Sequence, residues 1–187
     1  MSGFRDYGAL APVEARGRAA RPLLVGVVLL LAAALGQTTA APWAPSGLPR
    51  LDVVLALALA WCFRRGRGEG VLLALAGGLL LDLSSAGPFG LHTLALGLAL
   101  LLVEGAGETL TGSWPRRLLA SVLTGALVEL VALGVLVLRG WGLPTPGGLA
   151  RAALPTIGAD LILVLVLYVL VGWLLRAAHL PRRGEAN

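Results

Sequence analysis

Charged residues are scarce in this chain of 187 residues. Only 13% of the residues are charged, about half the share of a soluble domain, and aromatic residues make up 5%. Hydrophobic residues reach 57%, and most of them are Leu, Ala and Val gathered in blocks. Such blocks are typical of helices in lipid, whereas a membrane barrel alternates with a two-residue period. The composition therefore excludes a water-soluble enzyme and predicts one all-α, polytopic membrane domain.

Lysine is absent, so all 15 basic residues are arginines, and the net charge is +5. The arginines stand in small groups between the apolar blocks and not on one element, so no nucleic-acid partner is expected. Cys62 is the only cysteine, and His92 and His179 are the only histidines. An internal disulfide is therefore excluded, and neither a metal site nor another cofactor is predicted.

Six apolar blocks predict six transmembrane helices. Their approximate bounds are 22–40, 48–63, 69–83, 90–106, 117–138 and 155–176, within a membrane domain at 22–178 that has tails at 1–21 and 179–187. The third and fourth blocks are shorter than the roughly 20 residues of an upright span. Residues 84–90 between them are rich in Ser, Gly and Pro, which predicts a helical hairpin. A re-entrant pair that never fully crosses is the alternative.

The arginines also predict the orientation. With six spans, the side that holds both tails carries twelve arginines, and the other side carries Arg50, Arg139 and Arg151. Basic loops face the cytoplasm, so both termini are expected there. The first block has features of a secretory signal peptide, since basic residues precede it and small residues follow at 38–41. Its length of roughly 18 residues favours a retained helix.

Ionisable residues in apolar blocks are candidates for a functional role, because they are costly in lipid. Pro49 suits the first turn of the second helix, which would place Asp52 about three residues inside that helix. Asp82 is expected to end the third helix, and His92 to open the fourth. Asp160 is expected about five residues inside the sixth helix. All these positions fall in the outer half of the membrane.

Glu129 is the deepest acid, about 15 Å from Arg139 along the fifth helix. Its carboxyl is expected to be protonated or bonded to a neighbouring helix. Two interpretations of the outer acids stay open: they cap helix ends or pair with the outer arginines, or they line an outward-facing polar cavity. The acids nearer the cytoplasm are expected to be ordinary interfacial groups; they are Glu69, Glu104 and Glu108.

Small residues recur at helical spacing in the third block, at Gly70, Ala74 and Gly78, with Gly77 beside them. Such a stripe lets helix backbones approach closely in lipid, so the third helix is expected in the middle of the bundle.

Residues 82–92 contain the residue types of a hydrolytic triad, in Asp82, Ser84, Ser85 and His92. The serines lie in a turn, however, and no G-x-S-x-G, H-E-x-x-H, Walker A or G-x-G-x-x-G motif accompanies them. No catalytic residue is predicted, and an intramembrane hydrolase or lipid transferase remains a minor alternative.

Residues 77–95, G-G-L-L-L-D-L-S-S-A-G-P-F-G-L-H-T-L-A, carry a family resemblance. They resemble the motif of the MreD family of rod shape-determining membrane proteins, approximately G-L-L-x-D-L-x-S-x-x-P-x-G-L-H-x-L. Length, six blocks and basic cytoplasmic sides are also similar to that family. The matching positions are Gly78, Asp82, Leu83, Ser84 or Ser85, Pro88, Gly90, Leu91 and His92, with Gly77 next to them.

The resemblance implies a non-enzymatic scaffold of the bacterial cytoplasmic membrane that binds the single-span protein MreC. Together with MreB filaments, RodA and a class B penicillin-binding protein, it would organise side-wall peptidoglycan synthesis within the surrounding lipids. The turn at 82–92 would tie the third and fourth helices together. The family's fold is also similar to the substrate-capturing subunits of energy-coupling-factor vitamin transporters, so a small-molecule-binding subunit is the alternative.

Overall fold

A computed structural model of the protein describes residues 13–40, 50–85, 87–106, 112–140, 142 and 145–177. This part of the chain is helical and contains no β-strand. The all-α prediction is therefore confirmed for the described residues. The helices are α1 (Val13–Ala40), α2 (Val53–Arg65), α3 (Arg67–Ser84), α4 (Leu91–Ala106), α5 (Trp114–Leu138) and α6 (Pro146–Ala177).

The first and last helices extend beyond their apolar blocks. α1 begins at Val13, in a stretch of Ala, Arg and Glu, which are good helix formers, and it continues through Pro22. α6 begins at Pro146, whose ring suits a first helical turn, and it continues through Pro155. Asp160 therefore lies well inside α6, and the predicted position about five residues from the helix start is wrong.

The most central helix is α2. Every residue at 54–62 is buried, and α2 contacts α1, α3, α4, α5 and α6. Its sequence alternates Leu and Ala, so it is apolar on all sides, as expected of a fully surrounded helix. The fully buried indole of Trp61 packs beside Gly26 of α1. The expectation that α3 occupies this position is wrong, because α3 leaves one leucine-rich face exposed.

α3 instead packs one face, lined by small residues, against α1, α2 and α4. A Cβ on Gly78 would lie 2.5 Å from the Cα atom of Thr93 and 2.7 Å from its backbone nitrogen. Gly70 faces α2 with similarly little space, and Gly77 faces both α1 and α2. The backbones of α3 and α4 therefore touch, which is the contact that small residues permit in lipid.

Among the described residues, three helical segments are long and apolar enough to cross a membrane, namely Pro22–Ala40, Trp114–Val135 and Pro146–Ala177. By contrast, the 13 residues of α2 span about 20 Å and the 16 of α4 about 24 Å, less than the roughly 30 Å of a hydrocarbon core. Large apolar side chains are exposed around the bundle, among them Leu24, Val28, Leu130, Ile162 and Val169. This surface is suited to contact with lipid tails.

Replacing Gly78 with Ala should destabilise the bundle by about 1–3 kcal/mol, because the new methyl group would meet the backbone of α4 and not a side chain that can move. Gly134→Ala is the matched control, since Gly134 also lies in a helix and nothing approaches its Cβ position within 4 Å. The control should be neutral or slightly stabilising. The stability of both variants is measured by thermal unfolding of the purified proteins in one detergent. Equal melting temperatures of Gly78→Ala and Gly134→Ala would contradict the close contact.

Candidate functional site

The starts of α2 and α4 are the places where this bundle most needs polar partners. The first four N–H groups of a helix have no acceptor within the helix. In an apolar bundle each of these groups must be bonded to another part of the protein. In both helices, a carboxylate from a different helix is one of the acceptors.

Asp82, near the end of α3, binds the start of α4 with both of its oxygens. Its Oδ1 accepts the backbone N–H of His92 at 2.9 Å and lies 2.9 Å from Nδ1 of the same residue. Its Oδ2 accepts the backbone N–H of Thr93 at 3.0 Å and the Thr93 hydroxyl at 2.6 Å. The Asp82 side chain has no exposed surface. The positive end of the α4 dipole and four hydrogen bonds thus hold a buried carboxylate in place.

The chain between these helices turns at Gly90, which has a φ of +91°. This left-handed conformation is readily adopted only by a residue without a Cβ. The Leu91 N–H then donates to the carbonyl of Pro88 at 3.2 Å, which closes the turn directly before α4. Pro88 and Gly90 therefore shape the path that brings His92 back to Asp82.

The serines of this segment do not complete a catalytic triad. The Ser84 hydroxyl donates to the carbonyl of Leu80 at 2.7 Å, and the Ser85 hydroxyl donates to that of Asp82 at 3.5 Å. Both hydroxyls thus bond to the end of α3 and not to His92. The imidazole is about one third exposed and is oriented by Asp82 in the same way as a catalytic histidine, but neither Ser84 nor Ser85 bonds to it.

The start of α2 is capped from three directions. Asp52 is the N-cap, and its Oδ1 accepts the N–H of Leu55 at 3.1 Å. Asp160 of α6 accepts the backbone N–H of Asp52 at 2.8 Å. Gln37 of α1 accepts the N–H of Val54 at 3.1 Å and donates to Asp52 Oδ1 at 3.4 Å. The preceding helix α1 and the distant helix α6 are thereby fastened to the central helix.

This geometry corrects the expectation that Asp52 lies about three residues inside the second helix. The helix begins only at Val53, because a carboxylate at the N-cap can accept the N–H of the third helical residue. Pro49, from which that expectation came, lies outside the described residues. Gln37 was missed because only ionisable side chains were considered, although an uncharged amide in an apolar block needs partners equally.

Glu129 differs from the other acids at this end of the bundle. It is partly buried on α5 and lies within electrostatic range of Arg50, Asp52 and Asp160. Its carboxylate has no hydrogen-bond partner among the described residues. His92 is also within electrostatic range of Asp52, so the two capped helix starts belong to one end of the bundle. No group of three or more His, Cys, Asp or Glu in the described part of the chain could hold a metal ion.

Two cavities in the described part of the chain have mainly apolar linings. A cavity of about 170 Å³ lies between α1, α2 and α6 and is lined only by Ala, Val and Leu side chains. A shallower groove on α3 and α4 is lined mainly by leucines, together with Phe89 and Thr93. The cavity between α1, α2 and α6 therefore offers no polar wall to a solute.

At the opposite end of the bundle, Glu69 has a larger role than that of an interfacial group. It accepts the Trp61 indole N–H at 3.0 Å and forms an ion pair with Arg65, with an Nε to Oε2 distance of 3.3 Å. Arg65 is itself buried. These contacts hold the tight junction at Gly66 between α2 and α3, so the earlier expectation for Glu69 is wrong. The side chain of Glu104 and all of Glu108 lie outside the described part of the chain.

Comparison with known proteins gives one match. The family model described as rod shape-determining protein MreD matches residues 18–178. No curated protein and no solved structure matches the chain. The matched region contains both capped helix starts, including Asp82 and His92. The family resemblance found in residues 77–95 is therefore confirmed over nearly the whole chain, and the protein belongs to the MreD family of rod shape-determining membrane proteins.

Proposed function

We propose that this protein is a scaffold of the bacterial elongation machinery in the cytoplasmic membrane and that MreC is its direct partner. The family match over residues 18–178 carries the proposal. In the wider complex, MreB, RodA and a class B penicillin-binding protein would act with it in side-wall peptidoglycan synthesis. The protein would contribute binding surfaces and not catalysis.

The arrangement of polar groups supports a scaffold. Asp52, Asp82 and Asp160 are all engaged at helix starts, where they fix the relative positions of α1, α2, α3, α4 and α6. A carboxylate oxygen that accepts a backbone N–H serves a structural role, which a scaffold needs more than a carrier does. The bundle would instead present rigid helices with exposed apolar faces to the membrane span of a partner.

We further propose a six-helix transmembrane domain at 22–178 with cytoplasmic tails at 1–21 and 179–187. The twelve-to-three arginine distribution supports this orientation. The short helices α2 and α4 are compatible with six spans if their starts lie below the outer membrane surface, within the bundle. Buried carboxylate caps are what such recessed helix ends require.

Cysteine labelling of intact cells tests this topology. In a Cys62→Ala background, single cysteines at positions 46 and 145 should react with a membrane-impermeant maleimide. Cysteines at positions 5 and 183 should react only after the cells are permeabilised. Labelling of position 183 from outside would contradict the six-span proposal, and a permeable maleimide that labels all four positions is the control for reactivity.

A second candidate function is the substrate-binding subunit of a vitamin-type transporter. The observation that favours it is Glu129, which lies near Arg50, Asp52 and Asp160 without a hydrogen bond to any of the described residues. On this hypothesis the Glu129 carboxylate would face a wet cavity and select a polar or cationic solute. On the scaffold hypothesis it would be protonated or bonded within the assembled complex.

Glu129→Gln distinguishes the two functions, because the amide keeps the shape and hydrogen-bonding capacity but removes the charge. The scaffold proposal predicts unchanged co-purification with co-expressed MreC and unchanged rod shape. Native mass spectrometry of the wild-type complex should then show the two proteins without a bound small solute. Glu104→Gln, which removes a carboxyl from the predicted inner half, is the control.

Two results would contradict the scaffold. One is a solute that the wild-type protein retains and Glu129→Gln loses, while both variants reach the membrane at equal levels. The other is loss of rod shape in Glu129→Gln despite normal binding of MreC. Either result would indicate that the charge itself is used and would favour the carrier.

A further inference from the structure

Arginines from three helices converge on one stretch of α6, far from the capped helix starts. The Nε of Arg64 donates to the carbonyl of Tyr168 at 3.0 Å, and Nη1 of Arg117 donates to the Tyr168 hydroxyl at 3.1 Å. The Nε of Arg176 donates to the carbonyl of Gly172, one turn further along α6, at 3.0 Å. We name Arg64, Arg117 and Arg176 the arginine cluster.

The sequence is adapted to hold Arg64 in this place. Its guanidinium carbon lies 3.7 Å from the centroid of the Tyr168 ring, a cation–π contact. The same guanidinium also packs directly against Gly172, where a Cβ would overlap its Cζ and Nη2 atoms. Any larger residue at position 172 would therefore displace Arg64. Gly172 has a packing role that its place in an apolar block does not reveal.

Aromatic rings surround Arg117. Its guanidinium carbon lies 5.7 Å from the centroid of Trp114 and 5.9 Å from that of Phe63. Trp114 and Tyr168 meet edge to face, with their centroids 4.9 Å apart, and Trp114 is about half exposed. Trp and Tyr are enriched at the membrane–water interface, so this end of α5 and α6 is suited to the depth of lipid headgroups.

Arg64 and Arg117 both contact Tyr168, so two guanidinium groups lie close to one ring. Guanidinium groups match the geometry of phosphate oxygens, which they bind with paired N–H donors. Basic pockets between transmembrane helices on the cytoplasmic side are typical sites for anionic headgroups. In the proposed topology the arginine cluster lies on that side.

We propose that the arginine cluster binds the phosphate group of an anionic phospholipid from the cytoplasmic leaflet. The lipid phosphate would lie between α5 and α6, against Arg64 on α2, and Trp114 would border the glycerol region. The site is separate from the capped helix starts. Its occupancy would join the inner ends of three helices.

Native mass spectrometry of the purified full-length protein tests the site. The protein is mixed with phosphatidylglycerol or with phosphatidylethanolamine, and the number of lipids retained is compared. Phosphatidylglycerol should be retained preferentially, and Arg117→Gln should lower its retention about five-fold. Arg116→Gln is the matched control, because Arg116 is exposed and adjacent in sequence, and its loss changes the net charge equally.

Arg176→Gln provides a second test in case Arg117→Gln fails to fold. Arg176 is exposed and its bond is to a carbonyl of its own helix, so its loss should leave the fold intact and still reduce phosphatidylglycerol retention. Equal retention in the cluster variants and in Arg116→Gln would overturn the proposal. Displacement of the lipid by inorganic phosphate at equal concentration would also overturn it, since the site would then bind free phosphate.

Discussion

The structure depends on how the buried starts of α2 and α4 find acceptors for their N–H groups. In neither case do nearby side chains of the same segment accept all of these N–H groups. Asp160 and Gln37 complete the cap of α2, and Asp82 forms the cap of α4. Because these acceptors come from α6, α1 and α3, the requirement to satisfy two helix ends determines which helices lie next to each other.

Close packing and capping support each other between α3 and α4. Asp82 can reach both His92 and Thr93 because one turn earlier Gly78 lets the backbone of α3 touch that of α4. A side chain at position 78 would push α4 outward and lengthen the hydrogen bonds of the carboxylate. The family motif thus combines the glycine that permits the approach, the turn that reverses the chain and the acid that receives the helix end.

The two ends of the bundle differ in their main polar groups, with Arg50 beside the carboxylates at one end and Glu69 beside the arginines at the other. Carboxylates and His92 gather at the capped end, where α2 and α4 begin. Arg64, Arg117 and the aromatic rings of Trp114 and Tyr168 gather at the other. Between them, α2 is apolar and fully enclosed, so neither end is linked to the other by a polar path along this helix. Such a bundle is suited to holding fixed surfaces in a membrane, which is the property that a scaffold needs.

Sequence patterns predict much of this architecture, since composition and block lengths indicate helices in lipid and residues 77–95 indicate the family. These patterns do not predict which helix lies at the centre of the bundle, because the alternation of Leu and Ala in α2 is also found in lipid-facing helices. In the cap shared by Gln37, Asp52 and Asp160, the bond from Asp52 to Asp160 spans 108 positions, which no local pattern contains. Glu69 was misjudged because its partner Trp61 becomes a neighbour only after α2 and α3 fold back at Gly66.

Hydrogen–deuterium exchange at the start of α4 tests the central claim most directly. The purified protein in lipid nanodiscs is compared with Asp82→Asn and with Ser84→Ala, a change in an exposed side chain of the same turn. If the Asp82 carboxylate holds the helix start, the amides of His92 and Thr93 should be protected in the wild-type protein. They should exchange about tenfold faster or more in Asp82→Asn, while Ser84→Ala should match the wild type. Equal protection of these amides in all three proteins would contradict the account.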